Sequence, residues 1–283
     1  MYPERASIPR SVIHRISATF MPAEDAPPAR IAFFPASATE TGGRVTTSTK
    51  EPVVLGAPVA GSGWGGFACC DQLNGHRGAV LPVGGAISGT ERFAIDFGVF
   101  ALRSAPITRF SENFLLESGT DGTRNEDYVS YGAPLLAVAD ATVVKVVDDV
   151  PDTAPGAAPG GKEGLAVNDA GGNVIVFRIA PRLFAFYLHN ASGSATVKVG
   201  DKATKGQKIA ELGSSGNSQA PHFHFQLGRS RQMLTTENVP FVFEDFDLEG
   251  TITDAEVVVE PTPRPHEDEL PLWDTIVDFP KAR

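Results

Sequence analysis

Two histidines stand two residues apart in the run PHFHFQL. Extended as a strand, this run puts His222, His224 and Gln226 on one face and Phe223, Phe225 and Leu227 on the other. A pair of imidazoles in register can hold a metal or move protons. A third histidine, His189, ends the run AFYLHN, where alternation sets Tyr187 and His189 opposite Phe184, Phe186 and Leu188. Asp96 interrupts the apolar run ERFAIDFG, and a midstrand carboxylate is costly to bury unless it is paired, hydrogen-bonded or metal-bound. Singly these features are ordinary: a His-x-His on a strand is more often surface decoration, and a histidine closing a strand is usually structural. The run GSSGNS is not a serine nucleophile elbow, which needs Gly-x-Ser-x-Gly between strand and helix.

The elements that would carry these residues are strands. Of 283 residues, 42% are hydrophobic, enough for a substantial core, while 29 glycines and 22 prolines among abundant Val, Phe and Thr favour many short strands over long helices. Residues 1–75 read as an N-terminal β-rich extension, and 76–250 as the main all-β domain. In the main domain runs such as PLLAVADATVVKVV, GNVIVFRI and LFAFYLH are closed by Gly, Asp or Asn. Residues 251–283 read as a Pro-rich tail, PTPRPHEDELP, with DTIVDF as a closing edge strand. Two long interruptions, Arg103 to Val129 and Asp148 to Asn173, suit functional rims. The net charge of −10 disfavours nucleic acid as a partner, and no apolar run is long enough to span a bilayer as a helix. No apolar leader is visible at the start of the chain. The two cysteines, Cys69 and Cys70, are neighbours, a spacing that strains a disulfide and favours free thiols.

In order, the Asp96 strand, YGAPLLAVADATVVKV, GNVIVFRI, FAFYLHN, VKVGDKATKGQKIAELGSSGNS and PHFHF resemble the lysostaphin/LytM-type zinc metallopeptidase family, over roughly residues 76–230. The resemblance implies an antiparallel sheet lining a groove, of the duplicated hybrid motif type. It further implies hydrolysis of peptide bonds in peptidoglycan cross-links, one zinc ion, and a periplasmic or secreted setting. Carried over by position, Asp96 and His224 match two zinc ligands, and His189 and His222 match the catalytic histidines. Arg92 stands where the family's first zinc-binding histidine is expected, and a permanently cationic guanidinium has no lone pair to offer a metal.

Two consequences are open from sequence. Arg92 pairs with Asp96 and fills the metal's space, leaving a non-catalytic relative that binds a peptide or cell-wall fragment or regulates a partner enzyme. Alternatively another residue takes the ligand's place, for which His76 in NGHRG is nearest in sequence to the Asp96 strand. The hairpin VKVGDKATKGQKIAEL also resembles biotinyl and lipoyl carriers and phosphotransfer proteins, but no Met-Lys-Met tip is present. Without a metal, two neutral histidines supply about 10²–10⁴-fold as acid and base, too little for amide hydrolysis.

Overall fold

The computed structural model describes residues 11–19, 37–46, 48, 50–69, 75–79, 81–83, 86–100, 115–159, 165–166, 169–253 and 257–280. Residues 103–114, 160–164 and 167–168, within the two long interruptions, lie outside them, as does Cys70. The chain divides into two compact units, Met1–Glu51 and Pro52–Arg283. The first contains one antiparallel hairpin, β1 (Ser11–Thr19) with β2 (Ser37–Thr46), with a register shift between Ile13 and Arg15.

The second unit is all β, and among its described residues there is no α-helix. Its strands begin with β3 (Val53–Leu55), β4 (Gly61–Phe67), β5 (Leu81–Val83), β6 (Ala86–Ser88) and β7 (Ile95–Val99). Then follow β8 (Pro134–Leu136), β9 (Ala141–Val147), β10 (Asn173–Ala180), β11 (Leu183–Asn190), β12 (Lys202–Ala203) and β13 (Lys208–Glu211). The last are β14 (Phe223–Gly228), β15 (Phe241–Ile252), β16 (Val257–Glu269) and β17 (Thr275–Phe279). One large sheet has the order β12-β9-β10-β11-β14-β7-β4-β17-β15-β16, antiparallel throughout, with β3 added in parallel to β15. Two small two-stranded sheets, β8 with β13 and β5 with β6, stand apart from it.

The central strands are the most continuously apolar because both faces are covered. On one face Phe97, Phe177, Tyr187, Phe223, Phe225 and Phe243 join Leu135, Ile209 and Ala210 of the β8/β13 pair in the main core. Each such phenylalanine, removed from water, contributes about 1.5–3 kcal/mol. Tyr187 belongs there because its hydroxyl accepts from Val138 N (2.9 Å) and donates to Leu136 O (3.0 Å). On the other face Val174, Val176, Phe186 and Leu188 form a smaller cluster with Met233 packed against it.

The compact unit starts at Pro52 rather than near residue 75, because β3 and β4 are strands of the large sheet. The C-terminal segment is likewise sheet. Thr275–Phe279 lies between β4 and β15 rather than at an edge, as fits its buried Ile276, Val277 and Phe279. The edge is β16, where the Pro-rich stretch sits. An edge strand tolerates proline, and the register jumps there from Leu248↔Arg264 to Gly250↔Val259. The expectation of free thiols does not hold: Cys69 is disulfide-bonded and buried against Pro271 O.

Candidate active site

Strand register brings the first two residues together. β14 pairs with β7 so that His224 lies opposite Asp96, and cross-strand partners project from the same face. His224 Nδ1 is 2.9 Å from Asp96 Oδ1. On the other flank Phe67 of β4 lies opposite Asp96. The chain leaves β4 there, and His76 N donates to Ala68 O at 3.0 Å. Gly75 makes that return with φ +63, and a Cβ on it would stand 2.9 Å from Ala68 Cα. The short 3₁₀ turn Gly75–Gly78 thereby sets His76 Nε2 2.9 Å from Asp96 Oδ2. One ligand atom from each of His76, Asp96 and His224 lies within 4.8 Å of the other two.

The remaining ring nitrogens indicate which form these imidazoles take. Gln226 Nε2 donates to Thr90 O (3.3 Å), so its Oε1 faces His224 Nε2 (2.9 Å) as an acceptor. Neutral His224 therefore carries its proton on Nε2 and turns the Nδ1 lone pair toward Asp96. Among the described residues, the buried Asp96 Oδ1 has no hydrogen-bond partner despite that close approach. In that tautomer two lone pairs approach each other, and a cation shared between them would relieve the repulsion. A two-imidazole, one-carboxylate set with an exposed side fits zinc, whose catalytic sites use about three protein ligands and keep one position open.

Burial opposes the Asp96 carboxylate, but His222, His76 and His224 outweigh it and hold its pKa well below the usual range. Burial likewise works against protonated His76, yet Asp96 and Glu91 together push its pKa up to about 10. A carboxylate on each side thus makes the place of the His76 ring strongly cation-attracting.

His189 and His222 stand beside this cluster, with ring centroids 4.7 Å apart. His189 Nδ1 is 2.8 Å from Ser215 O and His222 Nδ1 is 2.8 Å from Ala220 O; each carbonyl takes the Nδ1 proton of its neutral ring and leaves Nε2 free. Burial, reinforced by His222 and His224, lowers the His189 pKa well below 6.5 and keeps that ring neutral. His222 Nε2 is 4.0 Å from Asp96 Oδ2. Simple alternation would have put His189 on the core side with Tyr187. Instead His189 adopts φ +60 at a register shift between β10 and β11, and it lines the groove beside Leu188. The groove cavity measures about 430 Å³; Phe67, Leu115, Leu188 and Met233 form its apolar wall.

Arg92 is exposed in the turn before β7, with its guanidinium over Gly89, while the partners of Asp96 are His76, His224 and His222. His266, in the C-terminal strands, is engaged with Glu269 and stacked on Phe246. Sequence reasoning passed over Glu91, which lines the cavity with Oε2 3.4 Å from His76 Nδ1. The acid next to Arg92 was its only signal.

Residues 126–236, which include His189, His222 and His224, match the model of peptidase family M23. The segment 126–236 is M23-like. Among solved structures, the catalytic domain of lysostaphin from Staphylococcus simulans is 19% identical, covering 66% of this chain and 88% of that one, with a TM-score of 0.31. LytU is 21% identical over 48% of this chain and 79% of that one (TM-score 0.29). A zinc-containing peptidase from Vibrio cholerae is 18% identical over 66% of this chain (TM-score 0.28), and the chain spans 37% of its length. Asp96 and His76 lie before the matched segment; β7 pairs Asp96 with His224 of that segment, and His76 meets Asp96 from a turn.

Proposed function

We propose that the domain carrying the M23-like segment is a metal-dependent endopeptidase acting on peptide bonds of peptidoglycan-type cross-links. In this reading His76, Asp96 and His224 hold one zinc ion, and His76 supplies the ligand that Arg92 cannot. The observation that carries it is the convergence of His76 Nε2 and His224 Nδ1 on Asp96, whose buried Oδ1 has no hydrogen-bond partner among the described residues. When bound there, zinc would supply Lewis acidity and lower the pKa of its water toward about 7.

The rest of the chemistry belongs to side chains of the chain. His189, neutral and with its Nδ1 proton committed to Ser215 O, offers Nε2 as an acceptor for a proton from the attacking water. His222, held by Ala220 O and Ser218 Oγ, sits at the more open side and is placed to return a proton to the departing amine. Together such groups are worth about 10²–10⁴-fold. The apolar wall of Phe67, Leu188 and Met233 limits water at the site and strengthens the electrostatics inside it. Among the described residues no helix is long and apolar enough to cross a membrane.

The test is metal content by plasma mass spectrometry on untagged protein purified without chelator, followed by assays on cross-linked peptides. About one zinc per chain, lost in Asp96→Ala and His76→Ala together with peptide hydrolysis, is the expected result. A wild-type chain without metal overturns the reading and leaves a groove suited to binding alone.

A further inference from the structure

Asp96 and His224 are aimed by paired strands, but His76 sits on a short turn with no ladder to orient its ring. We propose that Glu91 is the positioning residue that makes His76 a ligand through Nε2; this rests on the metal-site reading above. Glu91 Oε2 lies 3.4 Å from His76 Nδ1, on the side of the ring away from Asp96, so it stands behind the ligand rather than in the ligand set. A carboxylate there takes the Nδ1 proton and directs the Nε2 lone pair at the cation, as carboxylate–histidine pairs do in metal sites generally.

The same job is done on the other imidazole by Gln226, whose Oε1 holds His224 Nε2 at 2.9 Å. Both nitrogen ligands would then have their non-ligating nitrogen fixed. The turn before β7 explains how this arises: Arg92 projects to solvent, while the adjacent Glu91 turns inward to line the cavity. His224 further restricts the ring, meeting His76 edge-on with centroids 4.7 Å apart.

Two variants of similar volume test it, Glu91→Gln, which keeps an acceptor, and Glu91→Met, which does not. Zinc affinity of the full chain is measured by competition with a chromophoric chelator. The ring ¹⁵N signals of His76 are recorded in the zinc-loaded protein. Glu91→Met is expected to weaken zinc binding by about 10–100-fold and to disturb the signature of Nε2 ligation with a protonated Nδ1. Glu91→Gln is expected to recover most of the affinity and the signature. Wild-type affinity with unchanged His76 signals in Glu91→Met overturns the proposal alone. A wild-type chain that takes up no zinc overturns the reading beneath it instead.

Discussion

Asp96 and His224 reach the proposed metal site on neighbouring strands, whereas His76 and Glu91 reach it on turns. The strand-borne pair is specified many times over. Register, the phenylalanines behind each residue and the ladder on both sides all demand the same geometry. The turn-borne pair depends on one glycine with positive φ, one backbone hydrogen bond to Ala68 and one contact between side chains. A sheet can thus keep half of a site rigidly in place while the other half is rebuilt from whichever loop passes near. That is a physical route by which a ligand is replaced without disturbing the fold.

This contrast is easiest to break at Gly75. Gly75→Ala forces a Cβ into Ala68 and strains a positive φ, at a cost on the order of 1–3 kcal/mol that falls on the turn. We expect zinc affinity to drop at least as far as in Glu91→Met while circular dichroism of the sheet is unchanged; full affinity would show that the turn is not needed. Tyr187→Phe is the converse. It strands Val138 N and Leu136 O in the core and should cost about 1–3 kcal/mol in urea unfolding while zinc affinity holds.

A smaller effect tests the sheet through pH. Burial, together with Asp278 on β17, pushes the Glu249 pKa up to about 7. The folded state then holds a proton that the unfolded chain releases near 4.5, so this contribution to stability is full below 4.5 and is lost as pH rises through 7. Glu249→Gln should flatten unfolding free energy against pH across that window; an unaltered profile would exclude the pair as its source. The smallest expected change is at position 92. Because Arg92 points outward, Arg92→His should leave zinc affinity as it is and should not rescue His76→Ala, as calorimetry can check. Rescue would mean that the turn before β7 can reverse itself.

The strand-borne half was legible because its determinants are local and periodic. Alternation alone put His222, His224 and Gln226 on one face and identified Asp96 as a residue that needs a partner. It failed at His189, where a bulge with positive φ turns the side chain to the other face, and period-two reading has no term for a bulge. It failed again at Thr275–Phe279, because proline-rich flanks suggest an edge, while the position of a strand within a sheet depends on pairings more than 200 residues apart, such as Ile276 with Gly65. The approach of a turn to Asp96 was visible only as proximity in sequence, which named His76 but not Glu91. No local pattern tells that Glu91 faces inward and Arg92 outward.

The margins of the large sheet bear on how this protein behaves in a crowd. One margin, β12, is two residues long, and the other, β16, carries Pro261, Pro263 and Pro265 in a bulged, mostly exposed run. Three missing amide donors and an interrupted register deny a second molecule the continuous template that strand-by-strand growth into fibrils requires. A β protein this rich in buried phenylalanine would otherwise be a candidate for such growth whenever its concentration rose. The run that reads as a linker thus works as a guard on colloidal stability, and replacing its prolines is where aggregation would be expected to begin.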